Sequence, residues 1–218
     1  MREQIISSVK KEKIIAIVRG IESEKCQKVA QALYDGGIRL MEVTYDQKNP
    51  DSWEETACAI GETAKAFEGR MFVGAGTVTS KELVELTYRH GGQFIISPNV
   101  DEEVIRRTRE LGMVSMPGAL TPSDILVAHQ AGADFIKLFP AATFGTGYLK
   151  AVRAPISHVD MLVVGGINEK NVGEFLAAGA VGAGVGGNLA NKAWIEAGEY
   201  DKVTEVARKL VEAVRAVK

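Results

Sequence analysis

Short β-branched runs alternating with helical stretches predict a parallel α/β barrel of the (β/α)8, TIM-barrel class. Three observations carry that reading. Runs such as IIAIV and MLVVG are apolar almost throughout, as strands buried on both faces must be. A glycine recurs after a helical stretch and just before an apolar run, in DGGIR, HGGQF, LGMVS, AGADF and AGAVG, where a left-handed residue ends a helix. The length of 218 residues suffices for one sizeable core, so a single domain over 1–218 is expected. The chain is somewhat shorter than the ~250 residues typical of closed barrels, and an open doubly wound sheet is the structural alternative.

Taken in order, an N-terminal helix precedes strands at IIAIV (14–18), IRLMEV (38–43), MFVGA (71–75), QFIIS (93–97), MVSMP (113–117), DFIKLF (134–139), MLVVG (161–165) and VGAGVG (181–186). Helices fill the gaps. Ser80, Asp101, Thr121 with Pro122, and Asn168 each stand as an N-cap before acidic first-turn residues or proline. The closing TEVARKLVEAVRAVK is amphipathic at helical spacing and suits the outside of a barrel.

The net charge of −2 and the lack of a basic block longer than KKEK leave no electrostatic footprint for nucleic acid. The N-terminus has neither the uninterrupted apolar stretch of a membrane span nor the pattern of a signal peptide. Cys26 and Cys58 stand without metal-ligand spacing and read as small core residues in a reducing compartment; a cytoplasmic protein is expected. His90, His129 and His158 are far apart in sequence and suit solvated or capping roles, and no metal site is indicated.

Chemistry enters with two charges inside apolar strands. In DFIKLF, Lys137 shares a face with Phe135 and Phe139, while Ile136 and Leu138 share the other. If the branched pair faces the helices, Lys137 projects into the lumen near the catalytic, carboxyl end of its strand. Burial there disfavours ammonium and supplies a neutral amine able to attack a carbonyl. Glu42 in IRLMEV points inward by the same parity. Two readings stand: a structural ion pair, or a nucleophilic amine with a proton shuttle. Late in the chain, VVGGIN and GAGVGGN end strands in glycine-rich loops, and two such loops side by side suit a phosphate cradle or simply tight turns. Gly182, Gly184 and Gly187 match G-x-G-x-x-G, but no later strand supplies the ribose-binding acid, so a dinucleotide site is rejected. Arg19 and Thr77 also follow strands and could bind a substrate carboxylate.

In order, IAIVRG, GGIRLMEVT, VGAGTV, FIISPN, MPGALTPSD, AGADFIKLFPA, VVGGIN and GVGGNL resemble the 2-keto-3-deoxy-6-phosphogluconate (KDPG) and 4-hydroxy-2-oxoglutarate (KHG) aldolases, with the related 2-oxo-3-deoxygalactonate-phosphate aldolases, over nearly the whole length. The resemblance implies a cofactor-independent, metal-free class I aldolase, generally trimeric, acting on a small 2-oxo acid in carbohydrate metabolism. It implies Lys137 as the Schiff-base lysine and Glu42 as the general acid/base. Thr77 and Pro98 of ISPN fall where the family handles the pyruvyl part; Gly165, Gly166 and Gly187 fall in its phosphate loops. Two words depart. Where many members carry arginine in an EVTLR-like word, this chain has EVTYD with Asp46, and Arg19 is the expected substitute. Where many have serine after the last glycine pair, this chain has Asn188, whose amide can donate to phosphate. A phosphorylated sugar acid is the expected substrate, with KHG as a second activity. A silent barrel that binds a phosphorylated metabolite is the rival.

Overall fold

The computed structural model describes residues 1–217. Strands β1 Ile14–Val18, β2 Leu40–Thr44, β3 Phe72–Gly76, β4 Phe94–Ile96, β5 Val114–Met116, β6 Gly118–Ala119, β7 Ile136–Leu138, β8 Met161–Val164 and β9 Gly182–Val185 form one parallel sheet. Its order is β5-β4-β3-β2-β1-β9-β8-β7-β6. The two ends of that order, β5 and β6, are one stretch of chain interrupted at Pro117, so the sheet curls round into a barrel.

The expected strand at 113–117 ends at Met116, and a further strand, not expected, follows at Gly118–Ala119. Pro117 has no N–H to give a ladder, and the chain changes partners there: Met116 O accepts from Ser97 N at 3.3 Å, whereas Pro117 O accepts from Lys137 N at 2.9 Å. The same device ties Lys137 to the closing seam. Several strands begin or end a residue or two from their expected bounds.

Helices α1 Arg2–Glu12, α2 Cys26–Asp35, α3 Trp53–Ala66, α4 Lys81–Arg89, α5 Glu102–Glu110, α6 Pro122–Gln130, α7 Ala141–Arg153, α8 Val172–Ala177, α9 Lys192–Glu196 and α10 Tyr200–Arg215 accompany the strands. The helix stops are as expected: Gly37, Gly91, Gly112, Gly132 and Gly179 have φ of 97°, 90°, 74°, 104° and 106°, a region open to glycine at no steric cost. Ser80 accepts from Leu83 N, Asp101 from Glu103 N and Val104 N, and Thr121 with Asp124 forms a capping box. Asn168 does not cap a helix. Its Oδ1 accepts from Lys170 N, closing a short turn, and α8 starts only at Val172.

Two apolar layers result. Met41, Val43, Ile136 and Leu138 join the layer between sheet and helices. Ile15, Leu40, Phe94, Val114, Phe135 and Leu162 fill the lumen, where Ile5 and Val9 of α1 join them. Those two residues sit at i and i+4 on one face of α1, and each fully buried side chain is worth roughly 1.5–3 kcal/mol. α1 thereby plugs one end of the barrel. Asp134, its side chain 4% exposed, pairs with Arg2 of α1 and with Arg109 of α5 at 2.8 Å and accepts from Ser115 N at 2.9 Å. This cluster locks the plug to the segment that enters β7.

One further expectation needs correction. Cys58 is exposed rather than part of the core, although Cys26 is buried. His129 and His158 are exposed, as a solvated role requires, and their rings meet edge to face with centroids 5.2 Å apart. Among the described residues, no helix is long and apolar enough to cross a membrane.

Candidate active site

With Met41, Val43, Ile136 and Leu138 committed to the helix layer, strand alternation turns Glu42 and Lys137 into the lumen. Glu42 is 1% and Lys137 6% exposed. Ile15, Ile17, Ile96, Met116, Leu162 and Val164 line the small cavity they share. Burial in these apolar walls pushes the Lys137 ammonium pKa down, against the pull of Glu42 and with a further push from Arg19. The same burial pushes the Glu42 carboxyl up, against Lys137 and Arg19. Both groups are driven toward their uncharged forms.

An ion pair would have left a different geometry. Glu42 Oε2 has no hydrogen-bond partner among the described residues, and the two side chains form no salt bridge within 4.0 Å. A buried carboxyl oxygen and a buried amine that face one apolar chamber without meeting are expensive to keep. Phe139 brings its ring centroid to 5.2 Å from Lys137 Nζ.

A cavity of ≈ 420 Å³ opens from Lys137 and collects the remaining candidates: Arg19, Thr77, Pro98, Gly165, Gly166, Gly187 and Asn188 all line it. Gly165 and Gly166 adopt φ of 94° and 76°, and a side chain on Gly166 would run into Ala142, 2.7 Å from its Cβ position. Gly187 has nothing within 4 Å of its own Cβ position and borders open space. Among the described residues, the amides of Gly166, Gly187 and Asn188 donate to no protein acceptor. Three unspent N–H groups at one wall are the donors that an anion cradle needs. The loops feed this cradle differently from expectation. Gly187 opens a single helical turn closed by Leu189 N and Ala190 N on Gly186 O, rather than a full helix. Asn188 spends one amide hydrogen on Ile167 O at 3.2 Å, which ties the two loops together and leaves its second hydrogen for a ligand.

At the opposite wall, Arg19 Nη2 donates to Thr77 Oγ1 at 3.2 Å. Thr77 has φ of 57°, an uncommon left-handed setting for a β-branched residue. Asp46 lies outside this cavity, in the β2–α3 loop, where its Oδ1 accepts from Lys48 N. Sequence reasoning passed over Gln47, whose side chain bridges to Thr77; only the word after Glu42 hinted that this loop was unusual.

The family model for KDPG and KHG aldolase matches residues 5–206. The chain belongs to the KDPG/KHG aldolase family. It is an aldolase, a carbon–carbon lyase. It is 36% identical over 177 residues to the 2-dehydro-3-deoxy-6-phosphogalactonate aldolase of Escherichia coli K12, covering 81% of this chain and 83% of that one. It is 32% identical over 207 residues to the KHG/KDPG aldolase of the same organism, covering 93% and 92%. Among solved structures, a KDPG aldolase from Legionella pneumophila, with pyruvate captured as a covalent carbinolamine intermediate, superimposes with a TM-score of 0.84 at 25% identity over 94% of this aldolase and 97% of that chain. Among the described residues no group of three or more metal-ligating side chains gathers in this aldolase.

Proposed function

We propose that this aldolase cleaves a 2-keto-3-deoxy-6-phospho sugar acid into pyruvate and glyceraldehyde 3-phosphate through an imine on Lys137. The observation that carries the reading is that Lys137 and Glu42 face one apolar chamber with Glu42 Oε2 unpartnered, beneath a cavity walled on one side by glycine-rich loops. Neutral Lys137 attacks the C2 carbonyl, and the resulting carbinolamine loses water as Glu42 gives up its proton, leaving a protonated imine and a carboxylate. Glu42 then takes the C4 hydroxyl proton while the C3–C4 electron pair flows into the iminium, releasing the aldehyde and an enamine. Glu42 returns the proton to C3. Water adds to C2 and hands a proton to Glu42; the carbinolamine collapses to pyruvate and free Lys137, and both groups recover their starting forms.

Arg19 and Thr77 take the pyruvyl carboxylate, Arg19 supplying the charge absent at Asp46, with Pro98 bordering the same end. Gly165, Gly166, Gly187 and Asn188 take the phosphate. KDPG is the primary substrate of this reading, with KHG, split to pyruvate and glyoxylate, as a second activity. The C4 epimer, 2-dehydro-3-deoxy-6-phosphogalactonate, is the second reading, and the 36% identity to an aldolase of that name favours it. Pyruvate release from KDPG, its C4 epimer and KHG, compared as kcat/KM, tests the assignment. KDPG leading supports the primary reading, the epimer leading replaces it with the second, and equal rates for phosphorylated and plain acids contradict the phosphate cradle.

A further inference from the structure

The residues that replace the family's arginine word do more than lack a charge. Asp46 Oδ1 accepts from Lys48 N at 2.9 Å, and Asp46 O accepts from Trp53 Nε1 at 2.8 Å. A turn closed on Asp46 in this way swings the next residue back toward the barrel. Gln47 Nε2 then donates to Thr77 O at 2.9 Å, and Gln47 Oε1 accepts from Thr79 Oγ1 at 2.8 Å. One amide thus grips both sides of the β3–α4 loop at the point where Thr77 holds φ of 57°. A β-branched residue keeps such a conformation only where its surroundings over-determine it. Val78 N, on the far side of Thr77, is fixed to Ile96 O at 3.2 Å. Between these anchors Thr77 Oγ1 is presented to Arg19 and to the cavity that holds Lys137.

We propose that Gln47 is a positioning residue: by holding the Thr77 carbonyl and the Thr79 hydroxyl it keeps Thr77 in its left-handed setting and so builds the carboxylate end of the substrate site. This rests on the carboxylate role proposed above for Arg19 and Thr77. Gln47 touches no reacting atom in that scheme. Its loss therefore weakens binding of the pyruvyl carboxylate in ground and transition state alike, which raises KM and leaves kcat nearly alone.

The test is borohydride trapping of the Lys137 imine at graded pyruvate concentrations, with kcat and KM for aldol cleavage, in the wild-type chain, Gln47→Ala, Gln47→Glu and Arg19→Ala. Gln47→Glu keeps the acceptor for Thr79 and loses the donor to Thr77 O, so it separates positioning of Thr77 from general support of the loop. The expected result is a rise of about 10-fold in the pyruvate concentration for half-maximal trapping in both Gln47 variants, with kcat within about threefold of wild type and full trapping at saturation. Unchanged half-saturation in both variants, or loss of thermal stability with KM unchanged, overturns the proposal. A rise in Gln47→Ala alone also overturns it, because the donor to Thr77 would then be dispensable. Arg19→Ala reports separately on the carboxylate reading: an unchanged value there removes Arg19 from the site whatever the Gln47 variants show.

Discussion

The carboxyl of Glu42 lies where a side chain on Gly76 would begin: a Cβ on Gly76 would stand 2.6 Å from Glu42 Cδ and 2.8 Å from both carboxyl oxygens. Gly76 ends β3, beside the strand that carries Glu42, and its bare backbone makes the space into which the acid folds. Gly76→Ala should displace the carboxyl and overfill the chamber. The expected outcome is a fall in kcat of about 10²-fold with a stability loss of about 1–3 kcal/mol. Steady-state kinetics and urea unfolding check both, and unchanged kcat contradicts the placement.

Lys137→Met removes the amine and keeps the length of the side chain. Turnover should fall to the uncatalysed background, while thermal stability stays level or rises, because a buried amine without a partner is replaced by an apolar group in an apolar chamber. A lysine that served the fold as half of an ion pair would instead cost stability when removed.

The pH dependence of stability has a definite sign. Burial holds the Glu42 pKa above its ordinary 4.5. Between that value and the folded value the native state keeps a proton that the unfolded chain has lost, so stability falls as pH rises through the window. Lys137 has its pKa lowered from 10.5, so between its folded value and 10.5 the unfolded chain binds a proton that the native state has lost, and stability rises with pH through that window. Glu42→Gln should remove the first slope. Its stability gain over wild type is expected to grow from near pH 4.5 upward in urea unfolding, with kcat down by about 10²–10⁴-fold. A stability difference independent of pH contradicts the shift.

Asp134 tests the plug rather than the chemistry. Asp134→Ala strips Arg2 and Arg109 of their shared partner and leaves Ser115 N without an acceptor. The expected loss is about 2 kcal/mol, taking the arginines as free to turn to solvent, with kcat/KM changed less than stability. Thermal unfolding and kinetics on one preparation separate the two effects.

How much of this was legible beforehand follows from what each residue type can signal. The parity of DFIKLF and IRLMEV shows which side chains share a face, because strand alternation is rigid and the branched residues had to meet helices. The glycine stops were equally plain. The split at Pro117 follows from a chemistry visible in the sequence, a missing donor, but its use as the closing seam depends on a partner strand about twenty residues away. Thr77 gives no hint of a left-handed backbone, since β-branching argues against one; only the grip of Gln47 and the neighbouring ladder explain it. The meeting of His129 with His158 depends on how the end of α6 lies against the α7–β8 loop, which spacing does not encode. Tyr45, in the departing EVTYD word, is buried with its hydroxyl 2.9 Å from Thr87 Oγ1. That burial pushes its phenol pKa up to about 12. In sequence the word shows only the charge it lacks; its packing role depends on the fold.

The most direct measurement is the site of covalent capture. The protein is incubated with pyruvate and borohydride, digested, and its modified peptide sequenced by mass. A reduced pyruvyl adduct on Lys137, and on none of the exposed lysines, is the predicted result. An unmodified chain, or an adduct placed elsewhere, would show that this buried amine is not the nucleophile.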